Sequence, residues 1–292
     1  MTATGARAEC HDQVVRVLTA DRCFRVVVAR STDTVAGVLA AQRVRGGVAR
    51  VLGDLVTATV LLRETMAPDL RVQGILYAGD GKSRLVGDAL PDGATRGLVQ
   101  IAPGVTEISF GDRARLHTMR SMKHGGIQQG VVAVPDGASV ATAMIESMHA
   151  SEQVVAFVAL ATELDDDGTV RAAGGCLVQL DPEAVDPPLD AMIARIGALE
   201  PLGPILRATD ASVDALLERL VGDAPPLQRE VAPLRFGCTC SRERVLTSLS
   251  TLPTTDVAEI VERNEPLEIT CEYCGQEYRL HPDQLRGLLA RN

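Results

Sequence analysis

Four cysteines near the end of the chain restrict its folding more than any other feature. Cys238-Thr239-Cys240 and Cys271-Glu272-Tyr273-Cys274 hold four of the seven cysteines in the sequence. Thiolates bind zinc well, and four of them close a tetrahedron around one ion. Cys271 and Cys274 have the spacing of a knuckle, with Gly275 where the chain must turn under the metal. In an extended segment residues two apart point the same way, so Cys238 and Cys240 can offer both sulfurs to one ion. The spacing predicts that Cys238, Cys240, Cys271 and Cys274 bind a single Zn2+. A structural zinc ribbon with no regulatory role satisfies the same spacing. A tail this short has little core of its own, and a metal is the usual substitute.

The whole chain of 292 residues suffices for one or two ordinary domains. It is 46% apolar but only 2% aromatic, with no tryptophan, so the core must be aliphatic. A net charge of -9 makes it a poor counter-ion for phosphate and argues against a nucleic-acid partner. Met1 to Gln13 has no apolar signal-peptide region. Val48 to Met66 comes closest to a membrane span, but Arg50, Asp54, Arg63 and Glu64 interrupt it. An odd cysteine count without an export signal points to the reducing cytoplasm. There, paired cysteines mean metal or redox chemistry.

Residues 1 to 22 carry no clear element and are expected to be partly disordered. Cys23 to Arg30 reads as a strand. Ser31, Thr32 and Asp33 suit a helix start, with Gly46-Gly47 ending that helix near Arg45. A second helix is expected over Val48 to Met66. Short strands follow at Arg71–Ala78, Ser83–Ala89 and Thr95–Ile101, with Asp80-Gly81 and Asp92-Gly93 as tight turns. Further strands are expected at Glu107–Phe110, Arg113–Met122 and Gly126–Val134, and a helix at Ser139–Ala150. Gln153–Leu164 and Thr169–Leu180 read as a last hairpin around Asp166-Asp167-Gly168. The pattern predicts an α+β fold: an N-terminal core of helices and antiparallel sheet. From Asp181, prolines cut the chain into short amphipathic helices, such as Leu189–Leu199 and Ser212–Leu220. Residues 181 to 234 therefore read as a helical linker that must lean on a neighbour. Beyond it, Ser241 caps one helix, Asp256 with Glu259 suggests a capping box for another, and Pro282 opens a third.

The string Phe236-Gly237-Cys238-Thr239-Cys240-Ser241-Arg242-Glu243-Arg244, with Cys271-Glu272-Tyr273-Cys274-Gly275 and Tyr278, resembles the C-terminal signature of the redox-regulated heat shock protein 33 family. Ser151-Glu152-Gln153 and Ala173-Gly174-Gly175-Cys176-Leu177-Val178-Gln179-Leu180 resemble its core landmarks. Ser147 and Met148 depart from the family pattern, where tyrosines are expected, and Gly97-Leu98-Val99 is a weak match. The resemblance implies an α+β substrate-binding core at 1–180, a metastable helical linker at 181–234 and a zinc-binding redox-switch domain at 235–292. It also implies a holdase chaperone, not an enzyme, that works without ATP, binds unfolded or oxidatively damaged client proteins, and can form a homodimer when oxidised.

Thiolates are the form that oxidants attack. A sulfenic acid formed at one sulfur condenses with a neighbour to a disulfide. The nearest partners lie within each pair, which gives Cys238–Cys240 and Cys271–Cys274 bridges. Structural zinc binds with ~10–16 kcal/mol in finger peptides, against net domain stabilities of ~5–15 kcal/mol. Losing the ion should therefore unfold the tail, strip support from the linker and expose apolar surface that binds non-native proteins.

Other readings compete. Cys23 and Cys176 lie in apolar strands and read as small hydrophobes, and Cys10 has no assigned role. His281 sits near the knuckle as a spare ligand. Gly81-Lys82-Ser83 mimics the tail of a phosphate loop but reads as a hairpin turn. A zinc-ribbon module that binds nucleic acid or protein would need a basic face, yet residues 235–292 carry nine acidic side chains against seven arginines. A thiol–disulfide oxidoreductase would place Cys271 at a helix start, whereas the preceding residues read as a strand.

Overall fold

The computed structural model describes residues 12–122, 125–208, 212–222 and 225–289, with the side chains of 287–289 left aside. It divides into two compact units, Met1–Gly237 and Cys238–Asn292.

The first unit is layered around one helix. Strands β1 (Gln13–Leu18) and β2 (Phe24–Arg30) lead into α1 (Thr32–Gln42) and α2 (Gly46–Glu64). A meander follows: β3 (Val72–Tyr77), β4 (Arg84–Ala89), β5 (Ala94–Gln100), β6 (Arg115–Ser121) and β7 (Ile127–Ala133). Next come α3 (Val140–Ser147), a π-helical turn at Met148–Glu152, and the hairpin β8 (Ala156–Leu164) and β9 (Val170–Leu180). Three short helices follow, α4 (Leu189–Gly197), α5 (Leu202–Arg207) and α6 (Val213–Val221), then β10 (Gln228–Pro233) and β11 (Arg235–Phe236).

The strands form two large sheets. One has the order β10-β1-β2-β9-β8 and is antiparallel throughout. The other has the order β11-β5-β4-β3-β6-β7, antiparallel except for the β11–β5 pair. Helix α2 lies between them and packs on both. This is why its long apolar run is buried on nearly every side, as a helix that is hydrophobic all round must be. The approach to the second sheet is close. Gly74 and Gly87, paired across β3 and β4, face Thr59, and a Cβ at either would come within 2.6 Å of its Oγ1.

Strand alternation splits the apolar side chains of the first sheet between two cores. Val14, Val27, Ala29 and Leu177 point inward to α1 and α2. Val15, Val17, Val26, Val28, Cys176 and Val178 point the other way, where Met192, Leu199, Leu202, Leu206, Leu216, Leu217 and Leu220 cover them. The helices between Asp181 and Leu234 are thus a lid over one face of this sheet.

The α+β class and its antiparallel sheets are as expected from the sequence. Several elements differ. Strand β1 occupies part of the stretch expected to lack structure, while residues 1–11 lie outside the described residues. Gly46 and Gly47 open α2 rather than close α1, which ends at Gln42 with Arg43 left-handed. Glu107–Phe110 is a loop, whose Ser109 carbonyl accepts the Gly79 N–H at 2.8 Å. Ser31 stands at the N-cap position of the first helix, as expected, but its side chain makes no cap hydrogen bond. The side-chain cap is long-range instead: the Thr34 N–H donates to Asp12 Oδ2 at 2.6 Å.

The second unit contains α7 (Arg242–Leu249), α8 (Thr254–Glu262), the hairpin β12 (Leu267–Thr270) and β13 (Glu277–Leu280), and α9 (Pro282–Leu289). Ser241 caps α7 as expected, its Oγ accepting the Arg244 N–H at 3.2 Å. Asp256 and Glu259 do not form the expected box, because α8 starts earlier, after Pro253.

Candidate metal centre

The second unit has almost no hydrophobic interior. Among its described residues only Val257, Leu280 and Leu285 are buried apolar side chains. Something other than apolar burial must hold these elements together.

The cysteines occupy the place where a core would be. Cys238 and Cys240 sit on an extended segment leading to the Ser241 cap of α7. Cys271 and Cys274 form the turn between β12 and β13. That turn closes through Gly275 N–H to Cys271 O at 2.8 Å and Cys271 N–H to Gln276 O at 2.9 Å, with Gly275 at φ +72°. Only glycine takes such a φ without strain. The four Sγ atoms all lie within 4.8 Å of one another. Cys238 and Cys271 are 3.7 Å apart at sulfur, and Cys240 and Cys274 are 3.4 Å apart. A zinc tetrahedron with bonds of ~2.3 Å has sulfur–sulfur edges of about 3.8 Å, close to the two short separations, so the donor set suits one such ion. Among the described residues this is the one cluster of three or more metal-type ligands. His281, weighed as a spare ligand, is outside it.

A model of the Hsp33 protein family matches residues 12–281. The chain belongs to the Hsp33 family. One Hsp33 relative, the 33 kDa chaperonin of Syntrophotalea carbinolica, is 32% identical, over 96% of this chain and 99% of the relative. The 33 kDa chaperonin of Lacticaseibacillus casei is 28% identical over the same shares. The crystal structure of the 33 kDa chaperonin (heat shock protein 33 homolog) from Thermotoga maritima shares the fold, with a TM-score of 0.81 at 20% identity, covering 96% of this chain and 98% of that one.

Without an ion, the sulfurs of this Hsp33 tail are held in the thiol form. Burial pushes the Cys274 thiol up to about 12, and the three neighbouring sulfurs push the same way. Burial likewise raises Cys240. Four thiols so close cannot all ionise unaided, and a divalent ion reverses this by holding each as a thiolate. The Tyr278 hydroxyl donates to Cys240 Sγ at 3.0 Å, a contact that residue spacing alone does not show. It lies on β13, across from Ile269. Its position four residues after Cys274 was visible, but its orientation depends on the hairpin register.

The remaining sequence candidates find structural roles in this Hsp33 chain. Cys23, just before β2, and Cys176 on β9 are both buried, and burial pushes Cys176 up to about 12. Such a thiol is inert toward oxidants. Cys10 lies outside the described residues. At Gly81-Lys82-Ser83 the Asp80 carboxylate accepts both the Lys82 and Ser83 N–H groups at 2.8 Å and the Ser83 hydroxyl at 2.6 Å. The donors a phosphate would need are already taken. Among the described residues no helix is long and apolar enough to cross a membrane. Ser147, one of the departures from the family pattern, is buried and shares a 3.1 Å hydrogen bond with Thr118.

Proposed function

We propose that the chain is a redox-regulated, ATP-independent holdase: idle while its four cysteines hold zinc, active when oxidation removes the ion. The convergence of four sulfurs in a unit that otherwise lacks a core carries this reading.

Cys238, Cys240, Cys271 and Cys274 are the proposed ligands. Zinc, when bound, would keep the sulfurs as thiolates and substitute for the missing core. Peroxide takes two electrons from one cysteine sulfur, giving a sulfenic acid and hydroxide. Condensation with a second thiol forms the S–S bond and releases water. Both within-pair and cross-pair sulfurs are near in the folded site, so distance there does not choose the bridge. Loop length favours Cys238–Cys240 and Cys271–Cys274. Once the site opens, only the within-pair partners stay close, because closing a short loop costs less entropy.

Opening of the tail reaches the first unit through the chain itself, since β11 is followed directly by Gly237 and Cys238. Residues 181–234 then form the proposed metastable linker. Release of α4, α5 and α6 would bare Val15, Val17, Val26, Val28 and Val178 on the first sheet. Contiguous apolar surface of that kind binds other proteins, and unfolding clients are the proposed partners. In support, Val185, Leu189, Ile193 and Leu227 in this segment are already solvent-exposed.

The test is to follow zinc release with peroxide while measuring suppression of client aggregation by the full chain. Suppression should rise with zinc loss and reverse when the disulfides are reduced and zinc is restored. Full suppression by the reduced, zinc-loaded chain would refute the proposal.

A further inference from the structure

The strand β10 is a weak occupant of a strong edge. Its residues, Gln228-Arg229-Glu230-Val231-Ala232-Pro233, bury almost nothing: five of the six are exposed and Ala232 is half-buried. Its partner β1 is the reverse. Val14, Val15 and Val17 are all buried, packed into the two cores on either face of the sheet. What holds β10 is the main-chain ladder from Gln13↔Pro233 to Leu18↔Gln228, plus charge pairs at its surface. Arg16 pairs with Glu230 across the ladder, and Arg229 with Asp214 of α6 at 2.6 Å. Arg16 does not depend on Glu230, because it also lies 3.5 Å from the buried Glu64 of α2 and donates to its carbonyl at 3.2 Å. The edge of β1 is therefore rigid, rich in strand-forming residues, and covered by a segment that side-chain packing does not retain.

We propose that the β1 edge is a client-docking site of this protein, taking extended, β-prone stretches of unfolded polypeptide as an added antiparallel strand when β10 leaves. This rests on the holdase reading above and adds a binding mode to it. Recognition through main-chain hydrogen bonds is indifferent to client sequence, and an unpaired strand edge is a ready template for another chain. The occupant is specified by the one already there: a six-residue segment with no buried side chain is held in register by its backbone ladder and two surface charge pairs. Charge adds a bias. With Glu230 withdrawn, Arg16 faces the incoming strand, so a client carboxylate opposite it is preferred.

The experiment uses the full chain, oxidised and zinc-free, with residue-resolved amide exchange over Gln13–Leu18. Alternate amides of β1 should lose protection on oxidation, by about tenfold or more, and regain it when an extended β-prone peptide is added. A peptide spanning Leu227–Leu234 should compete. N-methylation of its alternate residues in one phase should abolish competition, and in the other phase leave it intact. Protection that persists on oxidation overturns the proposal. So does protection that is lost and not regained with peptide, or competition equal for both methylation phases. Concentration-dependent protection without peptide also overturns it, since a second copy of the chain then takes the edge. Exchange does not depend on aggregation assays. Intact suppression of aggregation with no edge protection sinks this site alone, whereas edge protection without suppression sinks the holdase reading and, with it, the edge's role toward clients, leaving only its capture of extended peptide.

Discussion

At the scale of single residues, Tyr278 is the most informative side chain outside the four cysteines. Its hydroxyl donates to Cys240 Sγ at 3.0 Å, and a donor of that kind draws electron density from a thiolate. Partners of metal ligands are commonly worth tenfold or more in affinity. Tyr278→Phe should therefore release zinc about tenfold faster under peroxide, measured with a chromogenic chelator, with the fold of the first unit unchanged. A rate equal to wild type would show that the hydroxyl does not reach the sulfur. Asp54, on the core helix α2, supplies a second residue-scale prediction. Burial pushes its carboxyl up to about 6 from 3.8, with Thr162 Oγ1 as donor at 2.8 Å and the charge of Glu163 adding to the rise. The folded state thus binds this proton more tightly than the unfolded state. Its contribution to stability is complete at low pH and is lost as pH rises from about 4 to about 6. Asp54→Asn keeps the acceptor for Thr162 and has no charge to bury. It should stabilise the chain by about 1–3 kcal/mol above neutral pH, and the difference should close toward pH 4 in parallel denaturant titrations.

At the scale of elements, the helices over the first sheet set how tightly the proposed switch is held. Leu220 of α6 is fully buried against that face. Leu220→Ala removes packing worth ~2–5 kcal/mol in a well-filled core. The element it weakens is short and bordered by Gly222 at positive φ, where a helix commonly ends. The variant should suppress client aggregation while still reduced and zinc-loaded, and its melting should start earlier. If it stays idle despite that lower melting onset, α6 is not part of the lid. Which elements were legible follows the same logic. Asp-Gly turns at 80–81 and 92–93 were readable because turn chemistry is local. The linker helices were readable as amphipathic, yet the sequence cannot say which surface they cover. Gln13–Leu18 has no alternation to read, since β1 is buried on both faces. Gln228–Pro233 was invisible because nothing in its own residues favours a strand; its partner imposes the conformation. The four sulfurs were legible in sequence because ligand spacing is a local constraint, whereas the Tyr278 contact depends on hairpin register.

At the scale of the whole molecule, the two units differ in what stabilises them, and this difference can be measured. The first unit has two extensive aliphatic cores, one on each face of its five-stranded sheet. The second has three buried apolar side chains among its described residues. A ligand that binds only the folded form stabilises it by an amount that grows with the logarithm of its concentration, and here that dependence should belong to the second unit alone. Zinc titrated into reduced, metal-free chain should raise the melting of residues 238–289 and leave the main transition of the first unit nearly in place. Strong chelation should do the reverse, opening the tail to protease after Gly237 while the sheets stay protected. A tail that keeps its amide protection without metal would mean that its three buried side chains suffice. The metal could then not be the restraint, and no sulfur chemistry at Cys238, Cys240, Cys271 or Cys274 could release the lid by this route. A main transition that moved as far as the tail's would mean the units are coupled more tightly than their separate interiors require. Oxidation would then destabilise the first unit along with the tail.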